Sequence, residues 1–213
     1  MKIKYLGHAC FLIISDKGIK IITDPFTTGG DFTYDEIKVA ADIVTVSHDH
    51  FDHNNVSAVR GNPSVVRGTT EIKGIEFKGI PTYHDDAEGK LRGKNTIFCF
   101  AVDGIRICHP GDLGHQLSAQ QVAELGKIDI LCIPVGGFYT IDAKVASQIC
   151  IQLRPKVIIP MHWNHKWSFP EIASIDDFLQ GKKDVSRLDT SEIEFKSGEL
   201  PTTTQIMVLK SAL

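Results

Sequence analysis

Seven residues, Ser47-His48-Asp49-His50-Phe51-Asp52-His53, constrain this chain more than any other stretch. They follow the apolar run Ile43-Val44-Thr45-Val46 and lead into Asn54-Asn55, a pair suited to capping a helix. In extended backbone, side chains two apart share a face, so His48, His50 and Asp52 can project together. A turn into the following helix brings His53 round to the same cavity. Three imidazoles and a carboxylate crowded within six residues are costly to bury without a partner. One metal ion, or two, satisfies all of them. A solvated polar loop would explain a lone histidine, but fixed H-x-H-x-D-H spacing at the end of a buried strand weighs against it.

The 213 residues are enough for one large domain spanning 1–213 with a substantial core. With 42% hydrophobic and 23% charged residues, the composition is that of an ordinary soluble globular chain. A formal net charge of -3 with no basic block disfavours nucleic acid as a partner. No apolar run is long enough to span a bilayer, and no secretion signal precedes the first strand-like segment, so no membrane association is expected. The five cysteines, Cys10, Cys99, Cys108, Cys132 and Cys150, are odd in number and form no CxxC pair. Four lie in apolar runs or on a helix face, as reduced cysteines do, and a cytoplasmic location is expected.

Taken in order, Lys2–Tyr5, Ala9–Ser15 and Ile19–Thr23 read as short strands, with Asp16-Lys17-Gly18 as a hairpin turn. Ile43–Val46 is the buried strand that delivers the histidine motif, and 55–60 reads as a short helix. Strands then alternate with glycines over 64–84, a charged loop occupies 85–93, and 95–102 and 105–108 flank Asp103-Gly104, the strongest hairpin signal present. Ser118-Ala119-Gln120-Gln121 has the pattern of a capping box opening a helix. Buried strands are expected at 128–134 and 157–160, an amphipathic helix between them at 141–153, and another helix from Ser174. The polar stretch 181–190 reads as surface loop, and 192–196 and 205–210 as closing strands. This layout predicts two β-rich halves, each giving a sheet with outer helices. The expected fold class is α/β (α+β), a four-layer αββα sandwich.

Three isolated ligand types stand downstream at the ends of apolar runs: His84 after Ile80-Pro81-Thr82-Tyr83, Asp112 in His109-Pro110-Gly111-Asp112, and His162 after Val157–Met161. A sheet sandwich would gather such groups at one edge.

The order H-x-H-x-D-H, His, Asp, His resembles the metallo-β-lactamase superfamily. Tyr5-Leu6-Gly7-His8-Ala9, Thr23-Asp24-Pro25-Phe26, Tyr83-His84-Asp85-Asp86, Arg92–Ile97, Gly111–His115 and Pro160-Met161-His162-Trp163 resemble its compact branch of Zn-dependent hydrolases, related to sugar-acid phosphate lactonases. The resemblance runs from about Met1 to Leu179. It implies an αββα sandwich with a two-metal site at one edge. His48, His50 and His84 would hold the first ion, Asp52, His53 and His162 the second, and Asp112 would bridge them. Asp rather than Cys at 112 separates the chain from the β-lactamases that use a cysteine ligand. Histidine rather than glutamate at 50 separates it from the di-iron oxidoreductases. Zinc suits this ligation, with manganese or iron as alternatives.

Two ions sharing a bridging hydroxide would cleave a small ester, lactone or phosphodiester, with Asp52 and Asp112 as the catalytic carboxylates. Two other readings compete: iron-dependent redox chemistry such as thiol oxygenation, and a metal-stabilised binding module without catalysis. His8, Asp24, Lys94 and His115 are candidates for supporting the ligands or touching substrate. His109 is expected to support its own loop and His165 to lie at the surface or rim. Arg92, Lys94 and Lys166 would favour an anionic small-molecule substrate. Trp163, Trp167 and Phe138 would form an apolar wall or an interface, and the oligomeric state stays open.

Overall fold

The structure is a computed structural model and describes residues 1–30, 32–165 and 169–213. Fourteen strands build two mixed sheets. The first sheet takes β1 (Lys2–Gly7), β2 (Cys10–Ile14), β3 (Lys20–Thr23), β4 (Ile43–Thr45) and β5 (Ser64–Val66). The second takes β6 (Thr70–Ile72), β7 (Ile75–Tyr83), β8 (Lys94–Val102), β9 (Ile105–His109), β10 (Ile130–Pro134), β11 (Val157–Met161) and β12 (Val185–Arg187). The chain then returns β13 (Glu192–Glu194) to the first sheet beside β1 and places β14 (Gln205–Val208) in the second, between β12 and β11. Neighbours β1, β2 and β3 are antiparallel, whereas β3, β4 and β5 run parallel. In the second sheet β6 to β9 are antiparallel and β9, β10, β11 and β14 parallel.

Alternation along the strands divides the apolar residues between two layers. Phe11 and Ile13 of β2 face the second sheet, packing with Phe77, Phe98 and Ile159. Cys10 and Leu12 face outward. The outer face of the second sheet is covered by α1 (Ala119–Leu125), α2 (Ala143–Leu153) and α3 (Ile175–Leu179). Ser118 and Gln121 form the expected reciprocal capping box on α1, and the Asp142 and Ser174 side chains cap α2 and α3.

The two-sheet α/β sandwich is as expected, and the structure departs from the sequence reading in four details. β6 to β9 join the second sheet and β13 the first, so the sheets do not follow the two halves of the chain. Segment 181–190 contains β12, an edge strand whose Ser186 and Arg187 are exposed, so it lacks an apolar alternation. The helix expected at 55–60 is a single 3-10 turn, Val56–Ala58. The Asn55 side chain makes no cap and bonds the Phe26 carbonyl instead. Finally, the outer face of the first sheet is covered among the described residues by irregular chain carrying Phe26, Phe32, Tyr34 and Ile37, rather than by an α-helix. Its aromatic rings pack 5.0 to 5.6 Å apart and supply the apolar surface a helix would have provided. No helix among the described residues is long and apolar enough to cross a membrane.

Candidate metal centre

Every ligand candidate leaves the end of a strand. The His48–His53 segment follows β4, His84 follows β7, Asp112 comes three residues after β9, and His162 follows β11. The strand ends therefore carry all of them to one edge of the sandwich. Two features of the backbone let the segments meet. Gly111 has φ +57°, and a Cβ there would lie 2.4 Å from Asn95 Oδ1 and 2.5 Å from Ser47 Cβ. His8, Asp24 and His162 adopt positive φ of 54°, 37° and 50°, which side chains bearing a Cβ rarely do. Such conformations cost of order 1–3 kcal/mol each and cluster where a site over-determines them.

Two compact donor groups form, His48, His50 and His84, and His8, Asp52, His53 and His162, and a third, Asp24 with His48 and His53, overlaps both. Asp112 connects the first two. Its Oδ2 lies 3.2 Å from Nε2 of His84 in the first group and 3.2 Å from Nε2 of both His53 and His162 in the second. Three imidazole nitrogens converging on one oxygen exceed what hydrogen bonding alone explains.

The hydrogen-bond arithmetic sharpens this. Asp24 is fully buried and accepts from the Ser47 amide (2.8 Å), the Ser47 hydroxyl (2.5 Å) and His53 Nδ1 (3.0 Å). His53 Nδ1 thus carries a proton, and His53 Nε2, 3.2 Å from the Asp112 carboxylate, would give up any second proton to offer a metal its lone pair. The Ser47 hydroxyl has its hydrogen committed to Asp24, so it accepts from His48 Nδ1 (2.9 Å). His48 Nε2 is then a lone pair, buried with no hydrogen-bond partner. Imidazoles held by one nitrogen with the other bare are arranged as metal ligands are.

The electrostatics agree. Burial pushes the His48 ring down to about 3, reinforced by His53, and the His8 ring down to about 4, reinforced by His162, so both are neutral near pH 7. Burial would lower His53 as well, but Asp112 and Asp52 hold it well above the ordinary histidine value. Burial would raise Asp112, but His162 and His53 hold it well below the usual carboxylate range. The cavity calls for positive charge between its carboxylates and its imidazoles. Divalent metal ions answer that need, and the residues fit them.

The other candidates separate clearly. His8 Nε2 lies 3.1 Å from Asp52 Oδ2 and joins the second group. Asp24 orients His53, as expected of a supporting carboxylate. Lys94 lines a cleft beside His48 and His50. His115 does not reach the cluster. It accepts from the Tyr83 amide (3.2 Å), donates to the Gln116 carbonyl (2.8 Å), and borders a separate groove with Glu88 and Glu124. His109 Nε2 donates to the Ala9 carbonyl (2.8 Å) and its Nδ1 accepts from Gly111, a loop-supporting role. His165 stacks on Tyr34 and meets Trp163 edge-on. Lys166 and Trp167 lie outside the described residues.

Two contributors carry no sequence signal. Ser47 links Asp24 to His48. Asn95, 1% exposed, donates to Thr82 Oγ1 and the Pro110 carbonyl, both at 2.8 Å, and accepts from the Asp112 amide at 3.0 Å, fixing the loop that presents Asp112.

The family model described as the beta-lactamase superfamily domain matches residues 2–162, from β1 to the last histidine of the cluster. A UPF0173 metal-dependent hydrolase of Archaeoglobus fulgidus is 30% identical, covering 93% of this chain and 97% of its own. Another from Carboxydothermus hydrogenoformans is 32% identical over 82% of this chain and 88% of its own. A crystal structure from Thermotoga maritima, of a candidate Zn-dependent hydrolase of the metallo-beta-lactamase superfamily, superposes with a TM-score of 0.80 at 38% identity, covering 98% of this chain and 97% of that one. The chain thus belongs to the metallo-β-lactamase superfamily, as a metal-dependent hydrolase.

Proposed function

We propose that residues 1–213 act as one hydrolase domain whose edge holds two divalent metal ions, zinc by preference, and cleaves a small ester, lactone or phosphodiester. His48, His50 and His84 would hold one ion, Asp52, His53 and His162 the other, and Asp112 both. The observation that carries this reading is the convergence of Asp112 Oδ2 on Nε2 atoms from the two groups at 3.2 Å. A nitrogen-rich donor set with carboxylates favours zinc, while manganese and iron accept the same ligands.

Metal ions in such a site polarise the electrophilic oxygen and bring the pKa of water toward about 7. The protein's own residues do the rest. Asp24 and Ser47 lock the tautomers of His53 and His48. His8 donates to Asp52 and holds its carboxylate toward the cleft. Burial would raise the Asp52 pKa, but His53 and the His8 hydrogen bond keep it ionised, so its oxygens accept and orient a proton of the attacking water. In hydrolysis, water adds across the ester C–O or P–O bond, giving an acid and an alcohol. No serine or cysteine nucleophile is required.

The test is metal analysis of the purified protein coupled to a panel of esters, lactones, thioesters and phosphodiesters. About two ions per chain, with turnover supported by zinc or manganese and lost on chelation, is expected. Oxidation of a thiol by dioxygen on the iron-loaded protein, with no hydrolysis across the panel, would point to redox chemistry instead. Silence across the panel with metal bound would leave a binding module.

A further inference from the structure

We infer that the substrate pairs an apolar arm with an anionic group, and that Arg92 anchors the anion where two clefts meet; this rests on the hydrolase reading above and narrows its substrate class. The first cleft, about 520 Å³, lies over His50, Asp52, His84 and Asp112, with Phe51, Leu91, Tyr139 and Phe169 as its walls. The second, about 440 Å³, runs past His48 and His50 between Arg67 and Lys94. Arg92 borders both.

The first cleft is unusually apolar at its mouth. Phe51 is 53% exposed and Leu91 70%, and Phe138, 59% exposed, packs edge-on against Tyr139 at 4.7 Å. Phe169 meets Phe51 at 6.3 Å and Tyr139 at 5.8 Å, so the rings form a continuous wall. A single exposed apolar residue is unremarkable, but a group of them around a concave site marks where a ligand's apolar part is received.

The second cleft is cationic. Arg67 is committed to Asp49. Among the described residues no carboxylate lies within ion-pair distance of the Arg92 guanidinium or the Lys94 ammonium. Arg92 sits over the Tyr139 ring, 5.7 Å from its centroid. Stacking engages the face of a guanidinium and leaves its edge N–H groups free for a planar anion.

Arg92 is also placed deliberately. The buried Asp85 carboxylate accepts backbone N–H groups of Ala87 and Gly89 (both 2.8 Å), Leu91 (3.0 Å) and Arg92 (2.7 Å). The loop is wound around one carboxylate, next to the ligand His84. Asp85 is therefore a positioning residue for both Leu91 and Arg92. A scissile carbonyl at the metal edge would lay its apolar arm on the aromatic wall and its anionic arm along Arg92 toward Lys94.

The probes are two para-nitrophenyl anilides that resist hydrolysis, N-(para-nitrophenyl)glutaramic acid and neutral N-(para-nitrophenyl)butanamide, titrated calorimetrically into zinc-loaded protein. The ester pair, para-nitrophenyl hydrogen glutarate and para-nitrophenyl butanoate, is run alongside for turnover. The anionic anilide should bind about tenfold tighter, the range of a hydrogen bond to a charged group. Arg92→Met should erase that ratio, and Asp85→Asn should reduce it. A merely structural Asp85 would weaken both ligands and leave the ratio intact. Equal affinities, a ratio that survives Arg92→Met, or no binding of either anilide overturns the inference. Preference without ester turnover would keep the anion subsite and remove the ester branch of the proposed function; turnover of both esters at equal KM would do the reverse.

Discussion

The two donor groups at the sheet edge are built differently. In the first, His48 and His84 are buried but His50 is exposed; His48 bonds Ser47, and the His84 amide donates to the Gly93 carbonyl at 3.0 Å. In the second, His8, His53 and His162 are each no more than 1% exposed. His53 is clamped by Asp24, Asp52 is held by His8, and the His162 amide donates to the His8 carbonyl at 2.9 Å. His8 and His162 both hold left-handed backbone. Strain kept in place by so many contacts means a pre-formed site that gives little on ligand exchange. His50 and His84 of the first group line the cleft over the site, whereas Asp52 alone of the second does. On the proposed two-ion reading, the buried group would retain its metal and the exposed His50 would be the ligand nearest substrate.

The largest expected effect removes the residue the groups share. Asp112→Ala should lower kcat/KM by about 10³-fold or more, the scale of losing a centre of transition-state charge stabilisation, and should reduce the metal content of both groups. An active variant with full metal content would break the two-group scheme. Next, His162→Ala should abolish retention of one ion on gel filtration, whereas His50→Ala should only speed its loss to a chelator. Equal losses would erase the distinction between the groups. Asp24→Asn should weaken the buried group's metal affinity by about 10- to 100-fold, as loss of an orienting carboxylate does, with a smaller effect on the open group through Ser47. Metal titration with a competing chromogenic chelator reads both.

The smallest effect concerns the loop beside His84. Burial would raise the Asp85 carboxyl, but the amides of Arg92, Gly89, Ala87 and Leu91 hold it down to about 2. A carboxyl more acidic in the folded chain adds stability above its unfolded value, near 3.8, and loses it as pH falls toward 2. Hydrogen-exchange protection at Leu91 and Arg92 should therefore persist at pH 4 and fade toward pH 2. Asp85→Asn should reduce that protection at neutral pH.

The metal-ligand candidates were readable because they carry their own punctuation: each follows an apolar run that can only be a buried strand. Asp24 was readable as a turn aspartate beside a strand end. Ser47 and Asn95 were not, because their partners are far away in sequence. Ser47 meets Asp24 across 23 residues, and Asn95 meets Asp112 across 17. A serine or asparagine has no residue-level mark for such a task. The sheets were misdivided for a related reason. Hairpin signals show which strands neighbour each other, but not where a meander such as β6 to β9 leaves one sheet for another. β12 escaped notice because an exposed edge strand alternates nothing apolar. His115 looked available three residues after Asp112, yet its ring bonds the backbone on the far side of the His84 loop.

The pairing of β1 with β13 sets Lys2 opposite Glu194 and Lys4 opposite Glu192. It therefore joins the first strand made to the last but one. Closing so long a loop is entropically late and slow. During synthesis the segment from His48 to His53 emerges well before Asp112 and His162, and long before the sheet that steadies it is complete. On the proposed reading, an ion arriving in that interval would meet four candidate ligands without Asp112, in a geometry the finished sandwich would have to change. The timing of metal supply, and not only its amount, would then govern how much protein matures correctly. Refolding with zinc present from the outset should recover active protein more slowly than adding zinc after the sheets have closed.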